Sequence, residues 1–179
     1  MQTSARLLFK QIVIVLGAIG FTCQAQSQRT CDSYVGKELA SEILGKMLAN
    51  DPGKGQYSKD QNLEWHLCQW VVDYPPVAPG APRNPASLFV SIQRYPTLDA
   101  MRKGQISDQE LGPKVKIERV ARFGELGGVY TNNDLNTIGV AGNKGTKVMS
   151  ISVEMGLNPI PKGTRKRIED VAAKLWNDL

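Results

Sequence analysis

Histidine is nearly absent from this chain: His66 is the only one in 179 residues. A zinc centre needs three or four clustered ligands, and serine or cysteine triads pass their proton through a histidine. A lone histidine therefore removes most metal-hydrolase and triad chemistry. His66 falls on a predicted strand with no nucleophile elbow, so it reads as a partly buried strand residue. A long apolar run is also missing. Ile12–Phe21 is broken by Gly17 and Gly20 and has about half the roughly 20 residues a membrane helix takes. A phosphate-cradling loop is missing as well. Gly139-Val140-Ala141-Gly142-Asn143-Lys144-Gly145-Thr146 lacks the spacing of four residues between Gly and Gly-Lys followed by Ser or Thr, and reads as a hairpin. Acidic residues are scattered, with no pair set up for glycosidase work. No repeat, low-complexity tract or second domain interrupts the chain.

What is present at the start of the chain is an export pattern. Arg6 and Lys10 give a positive opening, Ile12–Phe21 a short apolar stretch, and Cys23-Gln24-Ala25 small residues at −3 and −1. Residues 1–25 are expected to be a signal peptide cleaved after Ala25, leaving 26–179 as one exported domain, periplasmic or extracellular. Two alternatives are a retained N-terminal anchor and lipidation at Cys23. For the second, Gly20 and Thr22 flank a bulky Phe21 and match a lipoprotein signal poorly. After cleavage no transmembrane segment is expected. The domain keeps 20 basic and 17 acidic residues, a net charge of +3. That favours solubility and is not a nucleic-acid signature.

Removing Cys23 leaves Cys31 and Cys68, an even number in an oxidising compartment. They are expected to pair, closing a loop of roughly 37 residues that contributes about 3–4 kcal/mol in the chain-entropy picture.

Periodicity gives the elements. Val35, Leu39, Ile43, Leu44, Met47 and Leu48 predict a helix over Cys31–Asn50, capped by Asp32 or Ser33. Asn50-Asp51-Pro52-Gly53 stops it, and a polar loop runs to about Asn62. Alternation predicts strands over Glu64–Asp73, Ser87–Tyr95, Val115–Phe123, Val129–Thr131, Leu135–Ala141 and Thr146–Glu154. Tyr74–Ala86, with five prolines, is a stiff loop. Thr97 caps a short helix to Lys103. Thr164 caps the final helix, whose stripe is Ile168, Val171, Ala172, Leu175, Trp176 and Leu179. Strands joined by short turns pair antiparallel. The expected fold is α+β: an antiparallel sheet of about five strands, with the N- and C-terminal helices on one face.

Three features together carry a resemblance: Cys31 opening the first helix, Cys68 followed by Trp70 on the first strand, and Phe123-Gly124-Glu125-Leu126-Gly127-Gly128-Val129-Tyr130 before a hairpin. With them the chain resembles small exported bacterial α+β domains of helix–sheet–helix layout, many of them lipoproteins of unknown function. In that group the loop reads Gly-Leu-Gly-Asp-x-Ala-Tyr. Here Gly128 replaces the acidic residue and the alanine is absent. The resemblance implies a fold and an export route, and no catalytic residue.

Two surface features remain. Lys162, Arg165, Lys166 and Arg167 crowd the start of the last helix, where positive charge opposes the macrodipole. They are a solvated cluster or a patch for an anion or a partner. Lys114, Lys116, Arg119 and Arg122 form a second basic stretch. Trp65 lies on the strand face opposite Cys68 and is a candidate interface residue. The expected function is non-enzymatic, with no metal and no cofactor: binding a protein partner in the cell envelope as an inhibitor, immunity or accessory factor. The alternatives are a carrier of a small or lipidic anion at the basic helix start, and a carboxylate-based hydrolase.

Overall fold

In the strand Glu64–Tyr74, Cys68, Trp70 and Val72 are buried while Val71 and Asp73 are exposed. That two-residue period sets one face of a sheet against a core. The computed structural model describes residues 31–48, 53–76, 78–80, 83–105 and 114–179. The expected signal peptide and Cys23 lie outside these residues. The strands are β1 (Lys54–Lys59), β2 (Glu64–Tyr74), β3 (Asn84–Arg94), β4 (Val115–Arg119), β5 (Gly128–Asn132), β6 (Thr137–Lys144) and β7 (Lys147–Glu154). The helices are α1 (Lys37–Leu44), α2 (Leu98–Gly104) and α3 (Thr164–Asp178).

The strands form one sheet in the order β1-β2-β3-β7-β6-β5-β4, and all neighbours are antiparallel. It consists of two meanders, β1–β2–β3 and β4–β5–β6–β7, joined where β3 pairs with β7. The class is mixed α+β, as expected, but seven strands replace about five. The expectation missed β1, whose sequence Lys-Gly-Gln-Tyr-Ser-Lys has no apolar alternation because no side chain on this edge strand is fully buried. The strand expected over Val115–Phe123 ends at Arg119, and a short 3-10 turn, Ala121–Phe123, follows it.

The inner face carries Leu88, Val90, Ile151 and Val153, which share one core cluster with Ala40, Ile43 and Leu44 of α1 and Ile168, Val171, Ala172 and Leu175 of α3. The Thr164 hydroxyl donates to the Ile43 carbonyl at 3.1 Å and so ties the two helices together. This corrects the expected cap: Thr164 is the first helical residue, and Gly163 is the N-cap. Tyr74 adds a hydrogen bond from its hydroxyl to the Leu44 carbonyl, 2.5 Å.

The first helix is shorter than expected. Cys31–Ser33 form a 3-10 turn, Gly36 is the N-cap in place of Asp32 or Ser33, and Gly45 ends α1 in the left-handed region (φ 68°). Glycine takes that conformation without the Cβ penalty, so the helix stops there and leaves Met47 83% exposed. Asn50 and Asp51, part of the expected stop, lie outside the described residues.

The expectation placed the N- and C-terminal helices on one face; α1 and α3 share the inner cluster, and the short helix α2 lies apart from it. Thr97 caps it as expected, its hydroxyl accepting from the Ala100 N–H at 3.1 Å. Its Met101 is fully buried yet lies outside the main cluster, as does Val148 on the outer face. The Gln105 amide, just beyond α2, reaches Gln93 Oε1 (3.2 Å) and the Tyr95 hydroxyl (2.9 Å), so α2 is anchored at the Gln93 end of the outer face.

Candidate functional site

Cys31 and Cys68 form the expected disulfide, with Cα atoms 5.5 Å apart. It ties the segment before α1 to the middle of β2, directly opposite Gly55 of β1. His66, two residues along β2, shares the inner face with the disulfide. Its Nδ1 is 2.9 Å from the Tyr34 hydroxyl and its Nε2 is 3.9 Å from Cys68 Sγ. The Tyr34 and Tyr57 rings flank the imidazole, at 5.3 and 6.4 Å between centroids. Burial pushes the His66 pKa below its usual 6.5 and favours the neutral ring. The strand histidine is thus partly buried as expected, and it belongs to a cluster that sequence spacing did not bring together with Tyr34 and Tyr57.

Three of the four cations at the start of α3 pair with carboxylates of the chain. Arg165 meets Glu118 at 2.6 Å and Glu169 at 2.8 Å. Lys166 meets Asp170 at 2.7 Å, and Arg167 meets Glu42 at 3.6 Å while donating to the Lys162 carbonyl at 2.9 Å. These carboxylates offset the unfavourable position of the cations at a helix N-terminus. In the second basic stretch, Lys114 pairs with Asp134, and Arg122 pairs with Glu169 at 3.3 Å while lying over the Phe123 ring. The first stretch joins α3 to β4 and α1, and Arg122 of the second joins the turn after β4 to α3.

Trp65 lies on the outer face of β2 with Leu67, Gln69 and Val71, and its register neighbours are Ser58 of β1 and Gln93 of β3. It is partly exposed, and Val71 is 43% exposed. Beside them, Ser91 of β3 is buried and its hydroxyl makes no hydrogen bond among the described residues. Among the described residues, β1 is an edge strand with no second strand beside it. The Asp60 N–H to Leu63 carbonyl bond, 3.0 Å, sets the hydrogen-bond phase of the β1–β2 hairpin. From that phase, Gly55, Tyr57 and Lys59 aim their N–H and C=O groups away from β2, as an edge strand in an antiparallel ladder must.

The glycine-rich loop has a packing role. Phe123 is buried edge-on to Trp176 (6.1 Å), and Asn143 Oδ1 of β6 accepts from the Leu126 N–H at 2.7 Å. At its end, Tyr130 lies flat over Gly139, where a Cβ would come within 2.1 Å of the ring. Burial raises the Tyr130 hydroxyl to about 12, against a hydrogen bond with Ser152. Burial also raises the Glu154 carboxyl to about 7. Sequence reasoning missed Glu154. Its available signal is position: it ends an alternating strand on the outer face, across from Ser87 and Thr137.

No family model, curated protein or solved structure matches the chain. Among the described residues no helix is long and apolar enough to cross a membrane.

Proposed function

We propose that the chain is an exported, non-enzymatic domain that binds another protein of the cell envelope, as an inhibitor, immunity or accessory factor does. The observation that carries this reading is the junction of β1 and β2. An edge with outward-pointing backbone groups at Gly55, Tyr57 and Lys59 adjoins an outer face bearing Trp65, Leu67 and Val71. A partner strand added to β1 would gain main-chain hydrogen bonds, and its side chains would meet that apolar row. The disulfide supports export, because such bonds persist in oxidising compartments. The helix–sheet–helix order is the one expected of the small exported bacterial domains that the sequence resembles. The anion-carrier reading draws on Lys162, Arg165, Lys166 and Arg167, and three of these four already face carboxylates.

The test uses the oxidised mature domain immobilised against an envelope fraction of its own cells. One stoichiometric partner is expected, with retention at least tenfold lower for Leu67→Asp and for Lys59→Pro. The proline removes an outward N–H without breaking the β1–β2 ladder. Charge reversal of Lys162, Arg165, Lys166 and Arg167 is expected to leave retention unchanged. Retention that survives both sheet variants, or that disappears with the charge reversal, would overturn the reading.

A further inference from the structure

Cys31 Sγ, Cys68 Sγ and His66 Nε2 lie within 4.8 Å of one another. We propose that, once the disulfide is reduced, these three atoms hold one thiophilic closed-shell cation, Zn²⁺ or Cu⁺.

Three observations carry this, beginning with the donor set. Two thiolates and an imidazole are the ligand types that such ions prefer. The second observation is the orientation of the imidazole. The Tyr34 hydroxyl sits 2.9 Å from Nδ1, which turns Nε2 toward the sulfur pair, 3.9 Å from Cys68 Sγ. Metal-ligating histidines are commonly held this way through their other nitrogen.

The third is the space at Gly55, directly across from Cys68 in the β1–β2 ladder. A Cβ built there would lie 3.1 Å from Cys31 Sγ and 3.6 Å from His66 Nε2. The missing side chain leaves open the position that borders both donors. The surroundings are dry, since Cys31 and Cys68 are 4% and 0% exposed. Separating two sulfurs to the roughly 3.8 Å they take around one tetrahedral ion with bonds of about 2.3 Å needs side-chain rotation, not a different backbone.

The reaction balances as thiol–disulfide exchange. A vicinal dithiol supplies two electrons and two protons. The Cys31–Cys68 bond breaks, a disulfide forms in the dithiol, and the chain gains two thiols. Binding the cation releases both thiol protons. The reverse exchange, in which a second disulfide accepts the two electrons and becomes a dithiol, re-forms the Cys31–Cys68 bond and expels the ion. The site thus couples metal occupancy to redox state.

The test takes the mature domain, oxidised and separately reduced without oxygen, and titrates each with Zn²⁺, with Cu⁺ and with Co²⁺ as a spectroscopic stand-in. The reduced form is expected to bind one ion, show thiolate-to-cobalt charge transfer and protect both cysteines from alkylation. The oxidised form is expected to bind none. His66→Ala should abolish one-to-one binding. Tyr34→Phe should weaken it about 10–100-fold. Gly55→Ala, which fills the space, should weaken it at least tenfold while the oxidised form keeps its fold. A folded reduced chain that takes up no ion would overturn the proposal. So would an affinity indifferent to His66→Ala and Tyr34→Phe, which would mark bare thiols. A reduced chain that unfolds and is not refolded by any of the three ions would count against it equally.

Discussion

The β1–β2–β3 meander pairs two 11-residue strands with a polar, six-residue edge strand that buries none of its side chains fully. It is fastened from the inner side, by the disulfide and by Tyr34 on His66. The β4–β5–β6–β7 meander has no cross-link. It is fastened by fit: Tyr130 over Gly139, Asn143 holding the Leu126 N–H, and β4 tied to α3 through Glu118 and Arg165. Each meander has an edge strand, and among the described residues only that of the second is drawn to a helix by an ion pair, Glu118 with Arg165. Reinforcing β1 from the inner side leaves its edge and the outer face of β2 uncovered by any other strand among the described residues. On the outer face of the second half Tyr130 covers Gly139, while Ile117, Ala141, Ser150 and Ser152 stay partly exposed. Under the proposed function, the β1–β2 side of the sheet is its docking half.

The largest expected effect is on the stapled half. Cys31→Ser with Cys68→Ser should lose about 3–4 kcal/mol in urea unfolding. Amide exchange should accelerate most in β1 and β2 and least in β5–β7. Acceleration spread evenly over all seven strands would break the comparison.

The next effect sits in the unstapled half. A carboxyl raised from 4.5 to about 7 holds its proton more tightly in the folded state, so Glu154 favours folding fully below about pH 4.5 and less as pH climbs through 7. The loss should reach about 3 kcal/mol by pH 8. Glu154→Gln should flatten that slope in a stability–pH profile and stabilise the alkaline end. Gly139→Ala, which pushes a Cβ into the Tyr130 ring, should cost about 1–3 kcal/mol. Its thermal transition should fall without any change in thiol accessibility. The smallest effect belongs to the surface ion pairs: Arg165→Gln should cost under about 1 kcal/mol and less in high salt.

How far the sequence carried the fold depended on burial. Strands β2, β3 and β7 alternate because one face is buried, and their reading differs from the structure by only a few residues. The disulfide followed from cysteine counting. β1 could not be read, since an edge strand with no fully buried side chain lacks the period that reveals strands. The first helix was overextended because Met47 keeps the apolar spacing after Gly45 has already turned the chain. Position on the sheet faces was readable for Trp65. The company of His66 was not, because Tyr34 and Tyr57 reach it from separate elements. The cations of α3 were visible as a cluster, but Glu118 and Glu42 approach them from distant parts of the chain.

The most direct test of the docking half is site-specific photocrosslinking in cells. A crosslinking residue at position 65, in place of Trp65, should give one discrete adduct with an envelope protein, and the same residue at Lys174, on the exposed side of α3, should give none. An adduct at position 174 with none at position 65 would contradict the assignment of the β1–β2 face as the binding surface.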